Sequence, residues 1–162
     1  ALTGSNLGVG ETTLRIQAPK HLKGKDAKLY ITGAEIYNRE AHCGTCHQAN
    51  GMGLSAAGFP PLDGTKWVNG DPERLIKISL KGLMGPIEVK GTKYPGVVPM
   101  TPFEHILKDD ELAAVLTYVR NAWSNKSGSI SKEDVAKVRA EVKDKAGFYS
   151  PEEILKIHPH EN

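Results

Sequence analysis

The chain has 162 residues, 39% of them hydrophobic and 25% charged, and a formal net charge of +2. These values suit an ordinary globular domain with extensions. The small net charge gives no sign of a nucleic-acid partner, and no apolar run approaches transmembrane length.

The opening residues, ALTGSNLGVG, lack the basic start and apolar stretch of a signal peptide. The chain therefore reads as a processed form or as a domain of something larger. Residues 1–27 are expected to be an extension, and the weak alternation over Thr13 to Ala18 suggests a short strand or extended arm. A first helix is predicted from Thr32, which with Glu35 forms a capping-box pattern, and it should run into the segment CGTCH, Cys43 to His47. Residues 48–66 are a long loop rich in glycine and proline. Asp71 and Pro72 open the next helix as N-cap and first helical residue. Leu75, Ile76, Ile78 and Leu80 give it an apolar side, and Gly82 ends it. Residues 83–104 form a second long connection, with a small hairpin over Ile87–Val89 and Lys93–Tyr94 across Gly91. Asp109 should cap a strong helix over residues 110–122, with Leu112, Val115, Leu116, Val119 and Trp123 on one stripe. Beyond it, Ser131 with Asp134 opens one helix and Ser150-Pro151-Glu152-Glu153 another. Charge alternates along Lys132 to Lys145, as on an exposed helix, yet Val135, Val138 and Val142 can pack on the body.

Cys43 and Cys46 are the only cysteines, and His47 follows at once. A redox dithiol of thioredoxin type would want a βαβ context, which the surrounding pattern lacks. A structural zinc site would want four ligands, and His42, His47 and distant His105 make a poor set. Covalent c-type haem uses all three residues together: both thiols add to vinyl groups, and the adjacent histidine reaches iron. The sixth iron position then decides the chemistry. Met100 lies between Pro99 and Pro102, in a bend stiff enough to hold a thioether against iron. Met84, just after a helix end, and His105 are its rivals, while Met52 is too close to His47. Core filling is the ordinary role of a methionine and is preferred for Met52 and Met84.

The order of CxxCH at the end of the first helix, proline-bearing loop, methionine loop and last helix, LAAVLTYVRNAW, resembles the class I c-type cytochromes. The resemblance covers residues 28–126. It implies an all-α class I cytochrome c fold with long loops around one haem, an N-terminal extended arm, and extra C-terminal helices over residues 127–162 packed on the core. It implies thioethers at Cys43 and Cys46, His47 as proximal and Met100 as distal ligand, and one covalent haem c. In Phe59-Pro60-Pro61-Leu62 a proline carbonyl should accept the hydrogen bond of the ligand histidine's other ring nitrogen, with Pro61 the candidate and Pro60 the alternative. Gly33 and Tyr37 should cross Tyr118. Trp67 should line the haem pocket or reach a propionate, or else fill core.

The implied function is one-electron transfer without catalysis, at a moderately high potential, with the ring buried among Leu62, Leu75, Ile78 and Leu83. The other function to weigh is a haem enzyme or gas sensor with a displaceable sixth ligand. Redox proteins are the expected partners, a periplasmic dehydrogenase or terminal oxidase among them. The stretches GFPPLDGTKWV and KGLMGPI look similar to dehydrogenase-associated cytochrome domains. Lys77, Lys81, Lys90 and Lys93 are candidates to steer an acidic partner, or simply a solvated surface. Haem attachment outside the cytoplasm would place the protein in a bacterial periplasm or on a cell exterior.

Overall fold

The computed structural model describes residues 16–161. The arm expected over Thr13 to Ala18 lies partly outside these residues, and Ile16 to Ala18 form no strand. Seven α-helices, one short 3-10 turn and one hairpin are described, joined by long loops.

Helix α1 spans Gly24–Asn38, eight residues ahead of the expected start at Thr32. The upstream Lys, Ala and Leu residues are good helix formers, and a Thr-x-x-Glu pattern is equally at home inside a helix. The helix does not run into CGTCH either. Arg39 N–H closes onto Glu35 and Ile36, Ala41 N–H onto Ile36, and His42 takes a left-handed backbone with φ 52°. Cys43–His47 is thus a separate short helix, α2.

Two further helices follow the first long loop: α3, Lys66–Asn69, and α4, Pro72–Lys81. Asp71 caps α4 by accepting the Glu73 N–H at 2.8 Å, and Gly82 ends it. The hairpin pairs β1 (Ile87–Val89) with β2 (Thr92–Tyr94), Ile87 opposite Tyr94 and Val89 opposite Thr92. Lys90 and Gly91 both have positive φ, the two-residue turn whose twist matches paired strands.

Helix α5 is Asp109–Val119, with Lys108 rather than Asp109 as its N-cap. The Glu111 side chain accepts the Lys108 N–H at 2.9 Å, and the Asp109 carboxylate is engaged by Arg139 instead. Helix α5 crosses α1, and the crossing is close because Gly33 lies against the backbone of Ala114. Tyr30 and Tyr37 flank Tyr118 at ring distances of 5.0 and 5.2 Å.

The C-terminal segment forms α6 (Lys132–Val142) and α7 (Pro151–Ile157). Val135, Val138 and Val142 make a buried stripe where α6 packs on α5 and α4, and Ile154 of α7 joins the same apolar cluster. The tail returns to α4. Arg74, fully buried, donates to the carbonyls of His158, Pro159 and Lys66, and His158 Nδ1 lies 2.7 Å from an Asp71 carboxylate oxygen.

Candidate functional site

A mostly apolar cleft of about 250 Å³ opens between α2 and the loop that carries Met100. Cys43, Cys46 and His47 line one side. Pro60, Leu83 and Met100 are among the residues lining the rest.

The loop after α2 is folded to serve His47. Gly53 N–H donates to the His47 carbonyl, Leu54 and Phe59 form a bridge, and the Leu62 N–H reaches Gly51. Gly53, at φ 69°, leaves no room for a side chain: a Cβ there would come 2.4 Å from the Phe59 carbonyl oxygen. This fold brings the Pro60 carbonyl oxygen to 2.8 Å from His47 Nδ1. The expected acceptor, Pro61, is therefore replaced by its neighbour, because the direction of a carbonyl depends on the whole loop. A carbonyl only accepts, so Nδ1 carries the hydrogen and Nε2 keeps its lone pair. Burial lowers the affinity of His47 for a proton, against the opposing pull of Pro60. A neutral ring is the form that binds a metal.

Cys43 and Cys46 are not joined to each other as a disulfide. Burial pushes the Cys43 thiol up to about 12, with the charge of nearby Cys46 adding to the effect. A redox dithiol needs a lowered value, which burial denies to Cys43. Among the described residues no three His, Cys, Asp or Glu side chains group as a metal cluster.

Met100 lines the cleft, and Met52, Met84 and His105 do not. Met52 and Met84 are half exposed, and the His105 side chain is 89% exposed. The Met100 loop is pinned to the end of α4. Met100 N–H donates to Leu83, Phe103 N–H to Ser79 and Glu104 N–H to Leu80. A pair between Lys81 and Glu104 at 2.8 Å closes the same corner.

Other expectations change. Trp67 does not line this cleft. Its Nε1 donates to the Glu88 carbonyl at 3.0 Å, and its ring meets His160 edge-on in a separate hollow. Residue type announced a polar contact, but its partner came from the hairpin. Of Leu62, Leu75, Ile78 and Leu83, only Leu83 lines the cleft. Lys81 is buried against Glu104, and Lys77 is mostly buried near Glu141, so neither is a steering charge. Lys90 reaches the Asp63 carbonyl, and Lys93 is exposed. Sequence reasoning missed Arg139, whose guanidinium bridges α6 to the end of the Met100 loop. An arginine amid alternating charges carries no local mark of such a role.

Paired thiols and a neutral histidine on the short helix α2, and a thioether on a loop, all around one apolar cleft in a helical body, fit a haem-bearing electron carrier. Comparison with known proteins agrees. Residues 30–123 match the family model for cytochrome c. The chain is 44% identical over 128 residues to cytochrome c-552 of Thermus thermophilus, covering 74% of this chain and 82% of that protein. It is 33% identical over 141 residues to the cytochrome c subunit of alcohol dehydrogenase (quinone) from Gluconobacter oxydans, covering 84% of this chain and 26% of that subunit. It is 34% identical over 123 residues to the gluconate 2-dehydrogenase cytochrome c subunit of Pantoea cypripedii, covering 72% of this chain and 25% of that subunit. The chain belongs to the cytochrome c family, as a class I c-type cytochrome. Its function is electron transport, and its cofactor is covalently attached haem c.

Proposed function

We propose that Cys43 and Cys46 hold the haem by thioethers, that His47 and Met100 are its axial ligands, and that the protein carries single electrons between periplasmic redox partners. The observation that carries this reading is the convergence of His47, fixed by Pro60, and Met100 on one cleft. When bound, haem supplies an iron that changes oxidation state by one electron.

The residues set the terms of that change. The Pro60 carbonyl orients His47 and raises its basicity as a ligand. Met100 is a soft, weak donor, which favours the reduced state relative to a second histidine. Leu83, Ile87 and Phe103 supply apolar walls that disfavour added positive charge. Side chains placed to hold the iron from two sides, His47 and Met100, would leave no open place for peroxide or a gas, which favours the carrier over a haem enzyme or gas sensor.

Partners fit the same reading. Val98 lines the cleft and is exposed, with exposed Val97 next to it. An apolar rim of this kind suits the small, transient contacts of redox encounters. Relatives that are cytochrome subunits of quinone and gluconate dehydrogenases support a dehydrogenase as one partner. No helix among the described residues is long and apolar enough to cross a membrane.

The test is the optical spectrum of protein made in a host with cytochrome c maturation. The pyridine haemochrome should remain with the denatured chain, and the ferric protein should show the weak far-red sulfur-to-iron band. Met100→Ala should abolish that band and lower the potential by part of the roughly 0.8 V range that axial ligands span. A high-spin ferric wild type, or a far-red band that survives Met100→Ala, would defeat the ligand assignment.

A further inference from the structure

We propose that Arg139 of α6 is a positioning residue for Met100, and that the C-terminal segment braces the methionine loop from outside the cleft. The inference rests on the reading of Met100 as the sixth ligand.

The Arg139 guanidinium donates to three acceptors within one short stretch. Nη1 donates to the Glu104 carbonyl, Nη2 to the Leu107 carbonyl at 2.8 Å, and Nε to the Asp109 carboxylate at 2.7 Å. Residues 104–109 connect the Met100 loop to α5. A planar fork that satisfies three acceptors fixes their relative positions in a way that a lysine cannot.

A second hold comes through Leu83. The Leu83 carbonyl accepts the Met100 N–H at 2.9 Å, and Leu83 also forms a parallel bridge with Tyr149. Met84 N–H donates to the Tyr149 carbonyl at 2.9 Å, and Tyr149 N–H to the Gly82 carbonyl at 3.2 Å. Tyr149, just before α7, is therefore bridged to one side of Leu83, and Met100 to the other. Between these holds, Val97 and Val98 are exposed and bury little. The loop's closed state thus depends on its ends: α4 and the Gly85–Gly96 bond hold them from within, and α6 and Tyr149 brace them from outside.

A thioether binds iron weakly, so the fraction of time that Met100 spends away from the iron is set by loop opening. Removing the fork leaves two backbone carbonyls and a carboxylate without their charged donor, which favours the open loop. Exogenous imidazole binds ferric iron only when Met100 has left, so its apparent affinity reports the open fraction at a temperature where the protein is fully folded.

Arg139→Ala is expected to tighten imidazole binding roughly tenfold, with unchanged far-UV circular dichroism. Arg139→Lys should fall between wild type and Arg139→Ala, and it serves in its place if Arg139→Ala does not accumulate. Val138→Ala, which loosens the packing of α6 but keeps the fork, should leave imidazole affinity near that of wild type. Equal imidazole affinity in wild type, Arg139→Ala and Arg139→Lys overturns the proposal. So does an equal shift in Val138→Ala, which would mean that α6 acts only through general stability. A wild type without the far-red band instead defeats the Met100 assignment and this inference with it, so the two failures are told apart.

Discussion

Gly33 of α1 packs so closely on α5 that a Cβ built on it would lie 1.9 Å from the Ala114 carbonyl oxygen. The same Cβ would stand 2.8 Å from Cβ of Tyr118. Backbone cannot yield as a flexible side-chain tip does. Gly33→Ala should force the crossing helices apart and cost at least about 2 kcal/mol. Guanidinium unfolding of the holoprotein checks it, and a loss near zero would mean that the crossing is looser than described.

Asp71 makes stability depend on acid. Burial opposes its ionisation, but the Glu73 N–H and His158 outweigh burial and hold the carboxyl below the usual range. Unfolded Asp71 takes up its proton near about 3.9 and folded Asp71 only at lower pH. The contribution is therefore complete above that value and is lost as pH falls through the folded-state value. Asp71→Ala should cost about 1 kcal/mol at neutral pH, as expected for a lost N-cap. The difference from wild type should shrink steadily below pH ~4 in urea titrations. A constant difference down to the most acid point would remove the pH argument.

Arg74 and Glu161 form an unequal pair. Arg74 is wholly buried and serves three carbonyls, whereas Glu161 is half exposed at 3.6 Å. Arg74→Met should cost about 3 kcal/mol, because the His158, Pro159 and Lys66 carbonyls lose a charged donor. Glu161→Gln should cost less than about 1 kcal/mol. Chemical denaturation of both variants reads the contrast, and equal losses would contradict it.

Trp67→Phe tests the separation of the indole from the cleft. The variant loses the bond to Glu88 and should cost about 1 kcal/mol. Its haem absorption and potential should match wild type. A shifted potential would return Trp67 to the haem environment.

Local chemistry was readable in advance. CGTCH announces its cofactor because thioether formation and ligation need those three residues side by side. Asp71-Pro72, Ser131 with Asp134, and the hairpin across Gly91 were legible because a cap or turn is completed within about four residues. The start of α1 was misplaced for the same reason in reverse: the Thr32 to Glu35 pattern is local, and nothing nearby stops the helix from beginning at Gly24.

Long-range geometry was not legible. Pro60 and Pro61 are chemically alike, and only the closure of Leu54 on Phe59 and of Leu62 on Gly51 presents the first carbonyl to His47. The three methionines differ in sequence only by neighbours, yet the pinning of residues 100–104 to α4 places Met100 alone of them at the cleft. Lys81 looked like surface charge until Glu104 came to it from 23 residues away. The residue types name the cofactor and the menu of ligands because bonding chemistry is intrinsic to side chains. Which carbonyl and which sulfur meet at the cleft, and which arginine braces it, follow from chain packing, since each choice depends on partners that are not neighbours in sequence.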